Sequence, residues 1–266
     1  MLRNVMLKTL RDQRKSLTFW GLGIGFVIIL TISFYPSFKD MPGMDAFIEN
    51  MPEAMGKIFL GEVEDMTSPE GFLNSQLFVL LIPILFLWFA ISRGSGAIAG
   101  EEESGTLELL LTHPIKRSRI LVDKFLSMVI AIMIIGFVVW VSMTLGIMLV
   151  DMGISLFRVA EVTLSALLLG LLYGTFALFV GATKGSRSLS IGVSSAVGIA
   201  GYLVNVLFPI VDRLEPFQKL SPFYYYMGAD PLSNGLDFTH VGLLIVATAI
   251  LLPLSIVMFE RRDINS

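Results

Sequence analysis

FLSMVIAIMIIGFVVWVSMTLGIMLV, residues 125–150, contains no Asp, Glu, Lys or Arg from end to end. About 20 mostly apolar residues, rising 1.5 Å each, cross the roughly 30 Å of bilayer hydrocarbon. A charge at the bilayer centre costs about 2.5–3.5 kcal/mol on the insertion scale. The missing charges are therefore as telling as the Ile, Val and Met that fill the run. Lipid does not tolerate open sheet edges, so the segment is predicted to be a helix. It is long enough to tilt or to project past the headgroups.

Five more charge-free stretches flank it, at 16–38, 71–92, 162–183, 188–211 and 238–259. They place six spans at 17–35, 72–92, 125–150, 162–183, 188–211 and 239–259. The chain as a whole has 15% charged residues and a mean hydropathy of +0.78, whereas soluble domains carry about 25% charged residues. The fold class is all-α: a single polytopic membrane domain over 1–266. There are no cysteines, which excludes disulfides and thiolate metal sites. His113 and His240 are too far apart in sequence to suggest a metal pair. The first apolar run is too long for a signal-peptide core and lacks a small-residue cleavage site after it, so it is expected to stay in the protein.

Orientation follows from Lys and Arg. Fourteen of them fall before the first span, between the second and third, after the fourth and after the sixth. The other five, Lys39, Lys57, Arg158, Arg213 and Lys219, fall on the alternate segments. Both termini are thus expected in the cytoplasm, with 36–70 and 212–237 outside. Residues 2–15 put Leu2, Val5, Met6 and Leu10 on one helical face and Lys8, Arg11, Arg14 and Lys15 on the rest. That pattern suits a helix lying in the headgroup layer, either as a plain positive-inside anchor or as a dedicated interfacial helix.

No enzymatic motif stands out. A phosphate-cradling G-x-x-x-x-G-K-[ST] loop is missing; Gly181-Ala-Thr-Lys-Gly-Ser-Arg187 has the wrong order and joins two spans. Gly94-Ser-Gly-Ala-Ile-Ala-Gly100 follows a helix and lacks the dinucleotide-binding spacing. This chain is therefore expected to bind neither ATP nor any other cofactor.

The segment 100–117 is the informative connection. Glu101, Glu102 and Glu103 precede a helix starting near Gly105 or Thr106, where acids would meet a positive dipole end. Leu107, Leu110 and Leu111 form an i, i+3, i+4 stripe on a helix too short to span. Pro114 stops it, since the residue before a proline avoids helix. Exposed leucines on such a helix would want a partner; alternatively, they pack under the membrane or on the bundle.

At Glu101, Glu103, Gly105, Thr106, Leu107, Glu108, Leu110, Pro114, Arg117 and Lys124 the chain resembles the inner loop of ABC-2-type exporter permeases. The basic N-terminal segment, Leu220-Ser-Pro-Phe223 and the tail Phe259-Glu-Arg-Arg-Asp263 extend the likeness over essentially the whole chain. Asp123 departs from it, because relatives usually have glycine there. The resemblance implies a permease with six spans and both ends inside, working as a homodimer or with a similar partner. It implies that 100–117 is a coupling helix, docking a separate ATPase subunit through Glu101, Glu102, Glu103, Gly105, Thr106, Leu107, Glu108, Leu110, Leu111, Pro114 and Arg117. Two ATPase copies would carry the ATP and Mg. Membrane lipids are expected as neighbours and nucleic acid is not.

Within the spans, Gly21/Gly25, Gly96/Gly100 and Gly170/Gly174 are spaced for close helix approach, within one subunit or at a dimer seam. Ser190, Ser194 and Asn205 put polar groups on the fifth span. They could line a pathway, or the serines could bond back to their own helix. Tyr224, Tyr225 and Tyr226 read as an outer aromatic belt. Two rival functions are an ion-driven secondary transporter, which predicts carboxylates inside spans and repeated halves, and a membrane scaffold that docks a cytosolic protein.

Overall fold

The computed structural model describes residues 5–39, 50, 52, 67–112 and 115–262. Six helices are long and apolar enough to cross a membrane, and no strand occurs among the described residues. The first is α1 (Val5–Ser33), followed by a short α2 (Tyr35–Lys39). The second combines α3 (Pro69–Leu73), a π-helical turn (Asn74–Phe78) and α4 (Leu81–Ala97). Two short helices follow, α5 (Ala99–Glu103) and α6 (Thr106–Leu111). The remaining spans are α7 (Arg117–Val150), α8 (Leu156–Lys184), α9 (Arg187–Leu207) and α11 (Phe238–Arg261), with α10 (Pro222–Met227) between the last two.

The basic N-terminal segment runs into the first span without a break. No Gly or Pro falls between residues 5 and 20. Thr9 and Thr18 return their hydroxyls to the carbonyls of Val5 and Arg14, at 2.9 and 3.0 Å. The basic turns and the apolar turns are therefore one rod, not a separate helix over 2–15. With 34 residues, α7 is roughly 50 Å long, because the charged turns Arg117–Lys124 continue into the uncharged run without a break.

The most enclosed helix is α8, which touches α4, α7, α9 and α11. Its partnership with α4 rests on small residues. A Cβ on Gly94 would lie 2.0 Å from the Gly174 carbonyl oxygen, and one on Gly174 would lie 3.0 Å from Ala90 Cβ. Gly170 takes the Phe86 side chain. Apolar driving force vanishes between helices in lipid, so such close backbone contact carries the packing. The Gly21/Gly25 pair faces Val138 and Ser142 on α7 in the same way. All three G-x-x-x-G pairs thus have neighbours inside this chain. The outward faces are large and apolar, with Phe19 and Phe26 on α1 and Phe137 and Met148 on α7.

Candidate functional site

At the end of the bundle that carries both chain ends, α4 passes into a hook made of α5 and α6. The bend is Gly105, whose φ of 70° is left-handed and costs a glycine little. Ser104 Oγ donates to the Gly100 carbonyl at 2.9 Å, and Thr106 Oγ1 donates to the Glu101 carboxylate. The turn is thereby closed by its own side chains.

The three glutamates before the bend reach three different elements. Glu101 pairs with Lys124 on α7. Glu102 pairs with Arg262, just past α11. Glu103 accepts the Arg187 backbone N–H at 2.8 Å, at the first turn of α9. A helix start leaves four unsatisfied N–H groups and a partial positive charge. The sequence placed the acids at the start of α6; instead they close α5, and Glu103 serves the start of α9.

Basic side chains do the converse job at helix ends. Arg262 also donates to the carbonyls of Gly181 and Ala182, at 3.2 and 3.0 Å. These belong to the last turns of α8, where Gly185, at φ 69°, returns its N–H to Gly181. Arg117 donates to the carbonyls of Arg262 (2.8 Å) and Phe259 (3.4 Å), over the Phe259 ring. Cations at helix C-termini satisfy carbonyls that lack partners and complement the dipole. The hook is consequently tied to α7, α8, α9 and α11 at once. Burial alone would raise the Glu101 carboxyl. Hydrogen bonds from Lys124 and Thr106, with the charges of Lys124 and Lys8, outweigh it and hold the group below the usual carboxylate range.

Residues 3–264 match the family described as ABC-2 family transporter protein. The chain belongs to this family. It is also 31% identical over 152 residues to a probable ABC transporter permease protein, NosY of Stutzerimonas stutzeri. That match covers 56% of this chain and 54% of the relative, so it spans about half of each.

In this ABC-2 protein two leucines of the stripe, Leu107 and Leu110, pack against the chain's own bundle. Leu107 is 1% exposed and packs in a cluster with Ile98, Ile120, Leu121, Leu178 and Phe259. Leu110 lies half-buried against the same cluster. Gly105, Thr106 and Glu108 face outward with Glu103 and Ser104, while Arg117 is half-buried under α11. The side chain of Leu111, and Pro114 altogether, lie outside the described residues. Asp123, the departure from the family pattern, pairs with Arg119 one turn before it at 3.1 Å.

The fifth-span candidates separate. Ser190 and Ser194 are fully buried inside the bundle. Ser190 Oγ donates to the Ala177 carbonyl of α8 at 2.6 Å, a cross-helix tie. Asn205 instead lies at the far end of the bundle. Its backbone and side-chain oxygens accept from Gln218 at 3.0 and 3.4 Å. It lines an open cavity of about 1050 Å³ with Asn74, Tyr202 and Asp230. Tyr226 does not join an aromatic belt, because it is buried and donates to the Phe78 carbonyl at 2.9 Å. That bond crosses to the π-helical turn, whose widened ladder the sequence did not signal. Nor did residue spacing signal Arg262 as the clamp of α8, since its partners lie far away along the chain.

Proposed function

We propose that this chain is the permease subunit of an ATP-driven exporter, powered by a separate ATPase docked on the α5–α6 hook. Family membership supports the class. The observation that carries the mechanism is the hook itself: one connection whose three glutamates hold α7, the α8–α11 end and α9. A push on its outward polar face, Glu103 to Glu108, would be delivered to most of the bundle rather than absorbed by a loose loop.

In this reading the hook and both chain ends are cytoplasmic, two permeases work with two ATPases, and ATP with Mg sits on the partner. No phosphate-cradling loop occurs in the sequence, so the isolated chain neither binds nor hydrolyses ATP. Closure of the ATPases would move the hooks and switch a cavity between subunits from inward to outward access. The test is co-expression with an ABC ATPase subunit and reconstitution in nanodiscs. A stable complex whose ATPase turnover rises above that of the ATPase alone supports the proposal. Transport driven by an ion gradient without ATP would make the chain a secondary transporter. A complex with unchanged turnover and no transport would leave a scaffold.

A further inference from the structure

A cleft of about 390 Å³ lies between α1, the end of α4 and the hook. Lys8 and Gln13 stand on its α1 wall and Arg93 on its α4 wall, and Arg187 reaches in from the start of α9. The glycine pair Gly96/Gly100 makes the room. A Cβ on Gly100 would lie 3.4 Å from Arg187 Cδ, and one on Gly96 would lie 3.9 Å from Arg187 Nε. Lys124 also lines the cleft, but Glu101 already takes its charge. Among the described residues, neither Lys8, Arg93 nor Arg187 has a carboxylate within ion-pair distance. Arg93 donates to Ser16 Oγ at 2.8 Å and lies over the Phe89 ring, two neutral contacts. Gln13 Oε1 is buried with no hydrogen-bond partner. Asp12 is the one acid besides Glu101 on the lining, so the cleft keeps a surplus of positive charge.

The depth of the cleft follows from the sequence. Arg93 is the first charge after the run 71–92, Arg187 the last before 188–211, and Ser16 the first residue of 16–38. All three therefore mark the level where hydrocarbon ends and headgroups begin. Guanidinium groups bind phosphate through paired N–H donors, and basic pockets between spans at this level suit lipid head groups. We propose that this cleft binds the phosphate of an anionic phospholipid, held by Arg93 and Arg187 with Lys8 at the mouth. A lipid seated there would join α1 to α4 and α9 beside the hook.

The experiment uses the full chain in mild detergent, with native mass spectrometry and thermal unfolding during titration with phosphatidylglycerol, phosphatidylcholine or inorganic phosphate. A saturable phosphatidylglycerol adduct that raises Tm, with no comparable effect of phosphatidylcholine, is the expected result. R187Q weakens that binding about fivefold, the worth of one basic residue near an anionic surface. R93K retains most of it, whereas the paired control R11Q/R14Q, on α1 but outside the cleft, leaves it unchanged. Protection by inorganic phosphate that is lost in R187Q would keep the anion site and assign it a soluble ligand. Equal affinity for phosphatidylcholine, or equal loss in the R11Q/R14Q control, would overturn the site and leave only general attraction to the membrane surface.

Discussion

Arg262, the residue after the last span, is ion-paired with Glu102 in the hook, 160 positions earlier in the chain. The same guanidinium holds the Gly181 and Ala182 carbonyls at the end of α8. The side chains keep only 15% and 23% of their exposure, so solvent screens this pair less than a surface pair. Arg262→Gln should lower stability by about 1–3 kcal/mol, because the carboxylate and two carbonyls lose a donor together. Glu102→Gln should cost less, and the double variant should cost less than the two single losses combined. Thermal unfolding of the four proteins in detergent measures this coupling; strict additivity would show that the pair does not interact.

Leu107 belongs to the core of the hook. Leu107→Ala should destabilise by about 2–5 kcal/mol, as buried leucine truncations do, and lower membrane abundance. Glu108→Lys, on the outward face, should leave Tm unchanged and weaken ATPase stimulation. Normal abundance of Leu107→Ala with lost docking would restore the leucines as a partner-facing stripe.

Gly94 has no space for a side chain. Gly94→Ala puts a Cβ 2.0 Å from the Gly174 carbonyl oxygen, a backbone atom that cannot turn aside. The expected cost is about 1–3 kcal/mol or more from forced separation of α4 and α8. Gly23→Ala serves as the control, since nothing lies within 4 Å of its Cβ position. Monodisperse elution and Tm of the two variants decide it.

Glu101 titrates below its ordinary value of 4.5 because Lys124 and Thr106 favour the carboxylate. A depressed folded pKa contributes stability that is fully present above the unfolded value and is lost as pH falls through the folded one. The Tm gap between wild type and Glu101→Gln should therefore be constant above about pH 5 and shrink in more acid buffer. A gap that widens on acidification would contradict the assigned pairing.

The chain has no native cysteine, so single cysteines report its sidedness. In intact cells an impermeant thiol reagent should label a cysteine at Glu62 and spare one at Ser104. The reverse pattern would invert the proposed orientation.

The spans were legible in the sequence because the lipid penalty is local. A charge at the bilayer centre carries a cost set largely by its own depth, so the run from Phe125 to Val150 announces α7 unaided. A helix start near Gly105 or Thr106 was equally legible, and the acids and leucines of 100–117 marked where to look. Their partners were not legible. Helical spacing states which residues share a face, but not whether that face meets another molecule or the chain's own Phe259.

The sequence by itself determined six membrane-length apolar helices and the family to which they belong. Only the tertiary structure decided that Glu102 meets Arg262, that Glu103 serves α9, and that Ser190 bonds to α8. Those choices depend on which helix ends converge. Convergence is set by close-packed surfaces such as Gly94 on Gly174, a property of two distant segments together and of neither alone.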